Sequence, residues 1–185
     1  MDNSTDSDLT RAFAAMKRED YESARQLLVR AVASGDHGGA VHLGWLWGQG
    51  LGGPVNIESA MQCYELARAH DRCAGSYYLG SLLMRQGQNE RARQLLEEAA
   101  QLGHASAAYW AYVLNADAAN QPKARQFLVC AAQLGHAFAQ RDLARQQMRE
   151  AASFGKWVSA VGRYWRAKVL GASMVLRDAH DPRVR

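Results

Sequence analysis

Three stretches of this chain are near copies of one another: ARQLLVRAVASGDH from Ala24, ARQLLEEAAQLGHA from Ala92 and ARQFLVCAAQLGHA from Ala124. A weaker fourth, AMQCYELARAHDRC, begins at Ala60. Taking the four alanines as equivalent gives steps of 36, 32 and 32 residues, inside the window of helical repeat architectures. A unit of that length cannot bury its apolar face alone, so units must stack. The extended surface that stacking creates serves more often to hold a partner than to run a reaction.

Each copy repeats an alanine seven residues after the first, at Ala31, Ala67, Ala99 and Ala131, and a large apolar residue after four, at Leu28, Tyr64, Leu96 and Leu128. Steps of four and then three put these residues on one helix face, and the small alanines let a second helix approach closely. Eleven residues on, Gly35, Gly103 and Gly135 supply the left-handed stop of a helix C-cap, with Asp71 in the weak copy. A second helix follows, carrying Gly39, Gly75, Ala107 or Ala139 early and then Leu43-Gly44, Leu79-Gly80, Ala111-Tyr112 or Leu143-Ala144. After the first of these, GQGLGGP cannot propagate a helix, and the next restarts at Asn56 as N-cap. No period-two run is long enough for a sheet. The fold class expected is all-α, an α/α solenoid of about four helix-turn-helix units.

The order Leu43-Gly44, Trp47, Gly50, Gly53-Pro54-Val55-Asn56, then Ala60, Tyr64 and Ala67 resembles the Sel-one-like (Sel1-like) repeat, a branch of the tetratricopeptide repeat superfamily. The resemblance runs over about residues 20–150 and is best over 39–70. It implies an α/α superhelix acting as an adaptor, with the groove lined by the helix that carries Gly39, Gly75, Ala107 or Ala139 early. By register from Gly44, that groove takes Val41, Tyr77, Tyr109 and Arg141, then Trp45, Ser81, Val113 and Arg145, then Gln49, Arg85, Asp117 and Arg149. Aromatic residues at one end and arginines at the other can stack on apolar side chains and fork onto carboxylates. A protein or peptide partner, acidic where it meets Arg141, Arg145 and Arg149, is what such a groove would take.

Other chemistry has little to stand on. There is no phosphate-binding glycine loop, no HExxH and no nucleophile elbow, so no enzyme activity and no cofactor are expected. His104 and His136 hold one place in consecutive copies, too far apart to share an ion at helix-packing distances; a histidine near a helix C-terminus is explained by the dipole, and no metal is expected. Glu97 and Glu98 read as a solvated pair. Cys63, Cys73 and Cys130 are too few and too irregular for a disulfide or zinc framework, although the family's helix-bridging cysteine pairs give Cys63 and Cys73 a single possible imitation. The polar, acidic start carries no secretory signal, and no stretch approaches the roughly 18 apolar residues of a membrane span. A cytoplasmic protein is expected.

Charge separates the tail from the repeats. Residues 1–152 sum to −1 and residues 153–185 to +5. In that tail Phe154, Trp157, Val161, Tyr164 or Trp165, and Val169 recur at helical spacing among Lys156, Arg163 and Arg166. Three roles suit the pattern: a helix capping the last repeat, with Trp157 buried and Arg163 and Arg166 in solvent; an amphipathic helix on an anionic membrane or partner; or a basic and aromatic nucleic-acid patch. Capping is the expected role and nucleic acid is not an expected partner; docking to an anionic membrane surface through this helix is the alternative. Gly155, Gly162 and Gly171 each weaken the helix by roughly 1 kcal/mol and could break it. The organisation expected is therefore a disordered acidic start over 1–10, repeats over 11–152, and a capping helix and tail over 153–185.

Overall fold

A computed structural model describes residues 7–151 and 153–178, with side chains to residue 171. The chain divides after Gln88 into two compact units. The first holds α1 (Asp8–Lys17), α2 (Tyr21–Ala33), a 3-10 turn at His37–Gly39, α3 (Ala40–Gln49), α4 (Ile57–His70) and α5 (Arg72–Arg85). The second holds α6 (Asn89–Gln101), α7 (Ala105–Asp117), α8 (Gln121–Gln133), α9 (Ala137–Glu150) and α10 (Phe154–Asp178). The described residues contain no strand, and the fold is an all-α helical-repeat solenoid.

The repeated small residues pack as their spacing requires. Ala24, Ala31, Ala60, Ala67, Ala92, Ala99, Ala124 and Ala131 are all at most 4% exposed, so each first helix meets its neighbours at close range. Between the alanines Leu28, Tyr64, Leu96 and Leu128 are sealed, each contributing about 1.5–3 kcal/mol from the apolar surface it removes from water. The weak copy can hold tyrosine because the facing helix gives way. A Cβ on Gly44 would stand 2.7 Å from the Tyr64 ring, so leucine there is exchanged for a ring on one helix and a glycine on the other.

Two kinds of turn alternate along the chain. First helices end where Gly35, Gly103 and Gly135 adopt φ of 93°, 93° and 87°, and the N–H groups of Asp36, His104 and His136 bond back to the carbonyls of Ala31, Ala99 and Ala131 at 2.9–3.0 Å. Second helices end on Gly50 and Gly87, φ 70° and 73°, but also on Ala119, φ 56°. There the backbone bonds run from Leu51 to Leu46, Gln88 to Leu83 and Asn120 to Asn115. Both are the six-to-one bond of a Schellman ending.

The end of α1 has this second turn too, with Glu19 at φ 61° and Asp20 N–H bonded to Ala15 O at 3.0 Å. Helix α1 thus plays the second-helix part of a unit preceding the first recognisable copy. Its Ala12, Ala15 and Met16 join Leu27, Leu28, Leu43 and Leu46 in one core. The expectation of a disordered start to residue 10 is corrected from Asp8 onward, because the Ser7 hydroxyl accepts from Thr10 N–H and caps α1. Residues 1–6 lie outside the described ones.

At the other end α10 covers one face of α9, where a capping helix is expected. The three glycines do not break it: Phe154–Asp178 is continuous. Among its described side chains, which run to residue 171, only those of small residues, Ala160, Ala167 and Gly171, are buried. Trp157 is 46% exposed, correcting the expectation that it is buried, because Ala160 and Ala167 bring α10 too close to α9 for an indole to enter. Arg163 is held as well as exposed, donating through Nε and Nη2 to Gln147 Oε1 at 3.1 and 2.8 Å.

Candidate functional site

The groove residues of the first unit do not all reach a surface. Trp45 is 6% exposed, set edge-on to Tyr21 with ring centroids 6.2 Å apart. It is a core residue and not a groove residue, because the face of α3 that would open outward packs against α2 instead. Val41, Gln49, Tyr77 and Ser81 are half-buried and Arg85 is exposed. Tyr77 meets Tyr78 edge-on at 5.1 Å, and the Ser81 hydroxyl is buried without a hydrogen-bond partner. What this unit presents is Tyr77 and Arg85 on α5.

In the second unit the expected residues come together. The Tyr109 hydroxyl on α7 donates to Asp142 Oδ2 on α9 at 3.0 Å. Arg141 holds the other oxygen, Nε to Oδ1 at 2.9 Å and Nη2 at 2.8 Å, and its guanidinium lies 5.2 Å from the Phe138 ring centre. Tyr109 stacks on His136 at 4.5 Å and lies 6.3 Å from Phe138. Burial, and then the charge of Asp142 and the hydrogen bond to it, push the Tyr109 phenol up to about 12. It therefore stays a donor throughout the neutral range. Arg145 and Arg149 continue the row one and two turns along α9, both exposed. Among the described residues neither pairs with a carboxylate, whereas Arg141 is fixed with its Nη1 still to offer. Val113 is half-buried and Asp117 exposed on α7.

His104 and His136 close the helix before them only through their backbone N–H groups; their rings do not serve that helix C-terminus, which corrects the expected dipole role. Each is the N-cap of the following helix, its Nδ1 accepting from Ala107 N–H at 3.2 Å and Ala139 N–H at 3.3 Å. An accepting Nδ1 must be unprotonated. Burial lowers the His136 pKa, with Asp142 opposing and His104 adding to the fall. The recurrence of the two histidines was the available signal; what spacing could not show is that their rings cap the helix that follows. Asp142 was not anticipated, since only the fold brings it opposite Tyr109.

Glu97 is also more than a solvated carboxylate. It is 13% exposed at the side chain, taking Lys123 Nζ at 2.6 Å and the amide of the buried Asn115 at 2.8 Å, and so ties α6 to α7 and α8. Cys63 and Cys73 are both thiols, and burial raises that of Cys63 to about 11, away from nucleophilic use. No three His, Cys, Asp or Glu side chains gather into a metal-sized cluster among the described residues, and no described helix is long and apolar enough to cross a membrane.

No family model matches this sequence, and no curated protein does. The backbone does match solved structures. A Sel1 repeat protein from Oxalobacter formigenes superposes with a TM-score of 0.73 over 90% of this chain and 70% of that one, at 22% identity. The chain has the Sel1-like repeat fold. A protective antigen of uropathogenic Escherichia coli strains, described as displaying that fold, gives a TM-score of 0.74 at 18% identity over 89% of this chain. This chain spans 38% of the antigen's length. MamA gives 0.60 at 14% identity, covering 89% of this chain and 96% of its own. On the second unit, half-buried Tyr109, His136 and Arg141 and exposed Phe138 form one connected surface cluster.

Proposed function

We propose that this chain is a non-enzymatic adaptor that binds an acidic protein segment along α7 and α9 of its second unit. The observation that carries the reading is the row of Arg141, Arg145 and Arg149 at successive turns of α9, beside the rings of Tyr109, His136 and Phe138. Arg141 is pre-oriented by Asp142 and by Phe138, so little side-chain freedom is lost when it takes a carboxylate. Arg145 and Arg149 supply unpaired charge for a second and third acidic group. Tyr77, Ser81, Arg85 and Gln49 are proposed as a contact surface of the first unit by itself, with Trp45 supporting it from that unit's core.

The test is an NMR titration of the whole protein with a glutamate-rich peptide ending in a free carboxylate. Shifts confined to residues around Tyr109, Phe138 and Arg141 to Arg149, and weakened in Arg145→Glu, are expected. That substitution should leave stability within about 0.5 kcal/mol, as exposed charge changes usually do. Shifts elsewhere, or an equal affinity of the variant, would discard this surface.

A further inference from the structure

Among the described residues the outward side of α10 has no counterpart. Ala160, Ala167 and Gly171 face α9. On the opposite side Phe154, Val158, Trp165 and Val169 fall within about 60° of arc at 100° per residue, exposed by 78%, 48%, 56% and 68%. Trp157 flanks them. The stripe runs about 22 Å along the helix. Arg166 and Lys168 border it, both exposed, with the Lys168 ammonium 4.9 Å from the Trp165 ring centre. From Phe154 to Arg177 there is no Asp, Glu, Asn or Gln.

We infer that this face of α10 docks the protein on an anionic lipid surface. Two features favour lipid over a protein groove. A groove selects its partner with hydrogen-bonding side chains that fix a register, and this face has no carboxylate or amide to do so. Its charge is of one sign throughout, which suits a plane of phosphates; indole rings with cations beside them suit the boundary between headgroups and acyl chains. Because α10 is held to α9 by its small-residue side, it can enter that boundary without leaving the fold. Arg163 is committed to Gln147 and Ser159 and Lys156 lies on the α9 side beside Gln147 and Glu150, leaving Arg166 and Lys168 as the lipid-facing cations.

The experiment is co-sedimentation of the full chain with vesicles of phosphatidylcholine alone and of phosphatidylcholine mixed with phosphatidylglycerol. Binding to the mixed vesicles only, falling as salt rises, is expected. Arg166→Gln with Lys168→Gln should lower the partition coefficient about 25-fold, each cation near an anionic surface contributing about fivefold. Phe154→Ser and Trp165→Ser should each lower it on the order of tenfold through lost apolar insertion. All four positions are exposed, so an unchanged melting temperature shows that the fold is intact. Absence of binding to mixed vesicles at low ionic strength overturns the inference, as does equal binding by these variants. Capture by this face of an acidic amphipathic peptide, without vesicle affinity, overturns it in favour of a protein partner.

Discussion

Replacing Gly75 with alanine tests how closely α4 and α5 approach. A Cβ at that position would lie 2.3 Å from both the Cα and the N of Arg68, whereas carbon atoms rest at about 3.5–4.0 Å. The obstacle is backbone, so no rotamer change relieves it and the helices must part by more than about 1 Å. Parting them loosens Tyr64, Ala67 and Leu79 and stretches the 3.0 Å bond from Arg68 Nε to the buried Ser76 hydroxyl. Overpacking of this kind costs about 1–3 kcal/mol and the hydrogen bond about 1 more. The better helix propensity of alanine returns about 1. A net loss of about 1–3 kcal/mol follows, read as a lower urea midpoint by circular dichroism and a melting temperature reduced by roughly 2–12 °C. Gly162→Ala is the control: its Cβ meets nothing within 4 Å, so it should gain up to about 1 kcal/mol from propensity alone. A Gly75→Ala protein as stable as the parent would refute the close approach and the packing argument built on it.

The buried alanines make a parallel case: Ala99→Leu and Ala131→Leu, both at positions with no exposure, should each destabilise by about 1–3 kcal/mol in chemical denaturation. Tyr109→Phe removes the bond to Asp142 and should cost about 0.5–1.5 kcal/mol, and absorbance titration should lose one tyrosine ionising near pH 12. Acid should weaken the second unit through His136. Its folded pKa is lowered, so the stabilisation is full above the ordinary value of about 6.5 and is lost as pH falls through the depressed one. His136→Asn keeps a capping acceptor without a charge change, and its urea midpoint should fall less between pH 7 and pH 5 than that of the parent.

The repeat and its helices were legible because a single face of each first helix obeys one rule of size and apolarity, visible as Ala24, Leu28 and Ala31 and their counterparts. Helix α1 was not, since DLTRAFAAMK shares the architecture of a second helix without its Leu-Gly pair. Which way a side chain turns was the weakest inference. Trp45 sits in register with Arg145, but α2 lies over one and solvent over the other, and no local pattern encodes that difference. The pairing of Tyr109 with Asp142 spans 33 residues and depends on two helices lying side by side. The tail's basic and aromatic pattern was plain, yet its small residues, not its large ones, face the protein.

The turn shared by Glu19, Gly50, Gly87 and Ala119 has an implication for divergence. Its left-handed backbone is imposed by the helices that meet there, since two of the four residues holding it are not glycine although that conformation disfavours a Cβ by about 1–2 kcal/mol. A turn enforced from both sides does not require a particular letter at its apex. Substitutions can therefore accumulate at such corners, each tolerated because neighbouring helices keep the chain path. Corners of this kind carry little sequence signature and keep their geometry, as fits structures that share this trace at 14–22% identity.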